Sequence, residues 1–237
     1  MNIMNIMNIM NIITPMLNYH TINTYASGDP LPYFRGTLHL YGSILIPSIM
    51  IIIGSIADID KSWPIMVFLG GKFLSYGSSA AVHLGITRSP DTHLKLLFID
   101  KLCVYISTFV TGVPFMRFDL FYYEFNGGVI ISGAILLLCN YEITRKIVFF
   151  IQFVGVLYLI GRVVQWNILW IIGASLYLSS MIVFLPCAIK STNNCMVEVC
   201  LPVCWHKKGY YGCHEDFHFF VFLADIVFFI NADLYLS

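Results

Sequence analysis

His214-Glu215-Asp216-Phe217-His218 leads straight into the apolar run Phe219 to Ile230. Residues four apart on a helix lie about 40° apart around the axis and one turn apart along it, so both imidazoles can reach one metal ion. The same residues match H-E-x-x-H, in which two histidines bind zinc and the glutamate acts as general base. Few positions of that pattern are fixed, and two histidines lying at a membrane interface are the plain alternative. The rest of the chain decides what surrounds the stretch.

The 237 residues are 58% hydrophobic, 16% aromatic and only 11% charged, with a mean hydropathy of +0.79. Soluble domains carry roughly 25% charged residues. This chain has too few polar groups to cover a water-facing surface, and it reads as an all-α integral membrane protein. Its formal net charge is zero, and no basic run with interleaved aromatics is present, which excludes a nucleic-acid partner. The seven cysteines, 103, 139, 187, 195, 200, 204 and 213, are odd in number and mostly gathered before His214, unlike a secreted disulfide framework.

Residues 1 to 12 repeat Met-Asn-Ile four times, without the basic start and small-residue cleavage site of a signal peptide. Residues 1–32 therefore read as a low-complexity, disordered lead-in and residues 33–237 as one membrane domain. A spanning helix needs roughly 20 mostly apolar residues. By that measure spans are expected at about 37–57, 63–85, 94–113, 127–141, 146–161, 166–189 and 214–236, seven in all. A cysteine-rich loop at about 190–213 separates the last two. Its Cys195, Cys200, Cys204 and His206 match no strong zinc spacing, and a variable loop is the favoured reading.

Lysine and arginine set the orientation. One side of a seven-span bundle holds Arg35, Arg88, Lys95, Arg145, Lys146, Lys190, Lys207 and Lys208; the other holds Lys61, Arg117 and Arg162. The bias predicts an N-terminus inside and a C-terminus outside. Span 2 then ends, and spans 3 and 7 begin, at one depth. Ser79 and His83, Asp100, and His214 and His218 fall at those three ends. Ionisable groups within a membrane are expensive unless they have partners, which makes these functional candidates. Three histidines with a carboxylate at one level describe a metal site with an open fourth position.

Helical phase adds a second expectation. Lys72 precedes His83 by eleven residues and Asp225 follows His218 by seven, which returns each to within about 20° of its histidine's face. At 1.5 Å per residue they lie about 16 Å and about 10 Å from the metal level. A lysine stem spans much of the difference, so an ion pair joining spans 2 and 7 is predicted, with separate hydrated sites as the alternative.

Three motifs in order resemble the progestin and adipoQ receptors together with haemolysin III. Ser79-Ala-Ala-Val-His83 resembles the family's S-x-x-x-H. Asp100-Lys-Leu-Cys-Val-Tyr105 with Pro114 resembles its third-helix pattern, and His214-x-x-x-His218 followed by Phe219-Phe220-Val221 resembles its seventh-helix H-x-x-x-H. Arg35-Gly36-x-x-His39 and Gly173-x-x-x-Tyr177 fit more loosely. The resemblance covers roughly residues 33 to 236. It implies zinc held by His83, His214 and His218, with Asp100 and Ser79 beside a metal-bound water. It also implies either a zinc-dependent hydrolase of lipid amides such as ceramides, with a membrane lipid as substrate, or a receptor with structural zinc. Lys101 after Asp100 departs from the histidine frequent in haemolysins. His39 is expected to be an interface residue before a ligand. Glu215 is the base only in the protease reading, and otherwise an acidic residue favourable at a helix N-terminus.

Overall fold

The computed structural model describes residues 36–56, 59–86, 89–116, 119–139, 142–190 and 213–236. The disordered lead-in expected at 1–32 and the cysteine-rich loop with Cys195, Cys200, Cys204 and His206 lie outside the described residues. Those that are described form helices and no strands: α1 (Thr37–Ile56), α2 (Ile59–His83), α3 (Pro90–Gly112), α4 (Leu120–Leu138), α5 (Glu142–Val163), α6 (Ile168–Lys190) and α7 (Cys213–Leu236). Four described stretches, 62–83, 120–138, 146–163 and 215–236, are long and apolar enough to cross a membrane.

The helix ends follow from local chemistry. Ser89 caps α3, its side chain accepting from the Thr92 N–H, with Pro90 in the first turn where its missing N–H costs nothing. Asp119 caps α4 by accepting from the Tyr122 N–H at 3.0 Å. That cap starts α4 seven residues before the span expected from hydropathy, at Leu120 and not at Gly127. Glu124 and Asn126 interrupt the apolar run in the sequence, but Asn126 is fully buried. Its Nδ2 donates to the Tyr122 carbonyl at 2.9 Å, and its Oδ1 accepts from Gln152 Nε2 of α5 at 2.9 Å. A residue that looks like a break is thus a helix-to-helix tie.

The burial pattern is that of a protein whose solvent is apolar. Ile51, Leu120, Ile131, Leu138 and Ile182 point outward, while Lys72, Asn126, Gln152, Asp225 and Asn231 are buried. Polar groups placed inside and satisfied there, with aliphatic side chains outside, suit lipid surroundings. Within the bundle α1 packs on α2, α2 on α3 and α6 on α7, while α7 also touches α1 and α2. Close approach depends on bare glycines: a Cβ on Gly71 would meet Val110 at 2.6 Å, and one on Gly173 would meet the Phe228 ring at 2.8 Å. The contacts of α7 with α1 and α2 bring three histidine-bearing helices together.

Candidate metal centre

α2 stops at His83 for a legible reason. Gly85 takes the left-handed conformation, φ +61°. The Ile86 N–H then donates to the Ala81 carbonyl and the Gly85 N–H to that of Val82, the paired bonds of a Schellman ending. His83 is therefore the last helical residue, facing the end of the bundle. Gly36 also has a positive φ, +83°, and a Cβ there would lie 3.0–3.1 Å from Leu84 and His83. The absent side chain lets α1 begin against the end of α2, and His39 follows one turn later.

The result is a three-helix group. One imidazole nitrogen from each of His39, His83 and His218 lies within 4.8 Å of the others. Ring centroids are 4.0 Å apart for His39 and His218, 5.2 Å for His83 and His218, and 5.8 Å for His39 and His83. A tetrahedral ion with bonds of about 2.0–2.1 Å draws such nitrogens to about 3.4 Å from one another, which small imidazole rotations supply. His39 is 5% exposed, and neither of its ring nitrogens has a hydrogen-bond partner. A buried polar group left unsatisfied costs about 1–3 kcal/mol, and coordination removes that cost. The donor set fits a metal ion, since neutral imidazole suits zinc and other late first-row ions.

Of the residues singled out in the sequence, His83 and His218 come together here. His214 sits in the first turn of α7, with its side chain outside the described residues. Ser79 and Asp100 join across α2 and α3, the serine hydroxyl hydrogen-bonding the carboxylate. Ser79 lies one turn below His83, about 6 Å along the axis, so Asp100 is tied to the helix segment that carries a histidine of the group. Glu215 and Asp216 are buried in the first turn of α7. The member that sequence reasoning placed elsewhere is His39. The Gly36-x-x-His39 spacing was its only signal, and close packing of α1 on α2 gives that spacing its meaning.

Below the histidines lies a second buried polar cluster. Lys72 Nζ stands 2.6 Å from Asp225 Oδ1, the ion pair expected from helical phase. Lys72 also donates to Ser107 Oγ at 2.9 Å and to the Tyr177 hydroxyl at 3.3 Å. Asp225 accepts from the Tyr76 hydroxyl at 2.6 Å and from the Tyr177 hydroxyl. Four helices, α2, α3, α6 and α7, are joined in this way. Tyr76 belongs to both clusters, since its ring lies 5.4 Å from that of His39.

No family model matches the chain, and no curated protein matches it.

Proposed function

We propose that the chain is a seven-span membrane protein, N-terminus inside, whose histidine group holds zinc and which hydrolyses lipid amides of the ceramide type, in keeping with its resemblance to the progestin and adipoQ receptor and haemolysin III family. The observation that carries the reading is His39, buried without a partner for either nitrogen beside His83 and His218. His39, His83 and His218 are the residues that would hold the ion in the hydrolase, leaving its fourth position to water. Zinc supplies a water of lowered pKa and polarises a carbonyl. Asp100 accepts the proton given up by the attacking water and returns it to the leaving amine. Ser79 holds that carboxylate in place through its hydroxyl. The amide enters from the bilayer, between helices whose outer faces are aliphatic.

One observation favours a second reading, a receptor with structural zinc. His39 raises the histidines available at this level to four, and four protein ligands close a tetrahedral site to water. The two readings part on Asp100→Asn. In a hydrolase that substitution leaves zinc bound and abolishes release of fatty acid from a ceramide-like fluorescent amide, while Glu215→Gln changes the rate little. No turnover by zinc-loaded wild type decides for the receptor, whereas an unchanged rate in Asp100→Asn keeps the hydrolase and removes Asp100 as its base. Loss of activity in Glu215→Gln with Asp100→Asn intact returns the site to the H-E-x-x-H mechanism.

A further inference from the structure

Asn231 lies thirteen residues beyond His218 on α7, about 20 Å along the axis, at the opposite end of the bundle from the histidines. It is 2% exposed, and its Nδ2 has no hydrogen-bond partner. The assignment of oxygen and nitrogen is fixed by its neighbour. Asn167 caps α6, its Oδ1 accepting from the Trp170 N–H at 2.8 Å, so its Nδ2 must be the group that donates to Asn231 Oδ1 at 2.9 Å. Asn231 is left with a buried N–H donor, not an acceptor.

Asn231 is also one of the residues lining a cavity of about 290 Å³, with Gln165, Asn167, Leu169 and Tyr235 among the others, none of them charged. Leu169 is the second residue of α6, so the wall includes the N-terminus of a 23-residue helix, where free N–H groups and the helix dipole favour an anion. Asp233 projects from α7 about 160° away from Asn231 and does not oppose a negative charge there. Trp166, Tyr158 and Tyr235 stand exposed at this same end, as tryptophan and tyrosine do at the headgroup level of a bilayer.

Gln165 gives the cavity a further carboxamide at an unusual position. α5 ends as α2 does, with the Trp166 N–H donating to the Gly161 carbonyl. Where α2 uses Gly85 for the left-handed residue, α5 has two in succession, Gln165 at φ 53° and Trp166 at φ 55°. Glycine is the ordinary occupant of that position.

We infer that this cavity binds the phosphodiester headgroup of a membrane phospholipid, with the Asn231 Nδ2, the Gln165 carboxamide and the N-terminus of α6 as its donors. The inference is independent of the metal centre. The test uses the full chain in neutral maltoside micelles, following thermal stability on titration with dioleoyl phosphatidylglycerol, with dioleoylglycerol, and with inorganic phosphate. The phospholipid should give a saturable rise in Tm that dioleoylglycerol, which keeps the chains and ester carbonyls, does not. Asn231→Leu should weaken the apparent affinity about tenfold or more, as expected for a lost hydrogen bond to a charged group. Gln165→Gly relieves the left-handed strain, so it should raise the lipid-free Tm while also weakening the phospholipid response. That opposite movement distinguishes a ligand-facing residue from a structural one and stands even if Asn231→Leu fails to fold. An equal response to dioleoylglycerol overturns the inference, as does an undiminished phospholipid response in Gln165→Gly. Saturation by inorganic phosphate with no response to phospholipid overturns it too, by assigning a soluble anion.

Discussion

Two buried polar clusters share Tyr76, and they are built on opposite plans. Around Lys72 and Asp225 the donors and acceptors answer one another: the ammonium reaches the carboxylate, Ser107 and Tyr177, and the carboxylate also accepts from both tyrosines. Around His39 nothing answers, since both of its nitrogens are buried and unpartnered. A saturated network needs nothing further and acts as structure. An unsaturated one, placed where two other imidazoles converge, is arranged for something that is not protein. The contrast also locates cost: burial of the ion pair is offset within the fold, whereas burial of the His39 nitrogens is offset by no hydrogen bond.

The contrast can be broken most forcefully at the ion pair. Lys72→Met or Asp225→Leu alone strands a buried charge and should cost about 3–5 kcal/mol, with the double variant losing less than the sum of the two. Chemical unfolding of the three variants checks this, and simple additivity would show the two residues to be uncoupled. These losses should be the same with and without a chelator.

Next in size are His83→Ala and His218→Ala. Each should lower zinc content measured by atomic emission, and each should lose the stabilisation that zinc confers, about 2.7 kcal/mol at a hundredfold excess over Kd. After chelation their stability should approach that of chelated wild type. His214→Ala belongs to the same experiment and reports whether the first turn of α7 supplies a ligand as well. Full zinc retention in His83→Ala removes α2 from the site.

The sharpest comparison is also the smallest. His39→Phe keeps a ring of similar shape and deletes two unsatisfied nitrogens. In chelated protein it should gain about 1–3 kcal/mol, while in zinc-loaded protein it should lose affinity for the metal. A substitution that stabilises without metal and harms with it marks a ligand. Destabilisation in both states would show that His39 acts only by packing.

Much of this arrangement is legible from rotation along single helices. His83 with Lys72, and His218 with Asp225, share faces because eleven and seven residues are near-integral numbers of turns, and a shared face predicts the ion pair. Ser79 and Asp100 followed from depth, once the helix ends were placed. His39 did not, because its place depends on how closely α1 approaches α2. That approach rests on the missing side chain of Gly36 against His83 and Leu84, a contact between segments that no periodicity within one helix encodes. The start of α4 was obscured in a related way. Asn126 reads as polar in isolation and becomes a buried tie only when Gln152 of α5 faces it.

Gly173 has a consequence for how the sequence can change over time. Its bare α-carbon is the seat of the Phe228 ring, and Phe228 in turn stacks on Tyr177 with centroids 5.5 Å apart. Tyr177 donates to Asp225. A methyl group at 173 would therefore push on an aromatic stack that ends at the carboxylate. Among descendants of this chain, Gly173 should change only together with Phe228, a shrinking ring for a growing side chain, so that positions 173 and 228 drift as a pair while Tyr177 and Asp225 stand still.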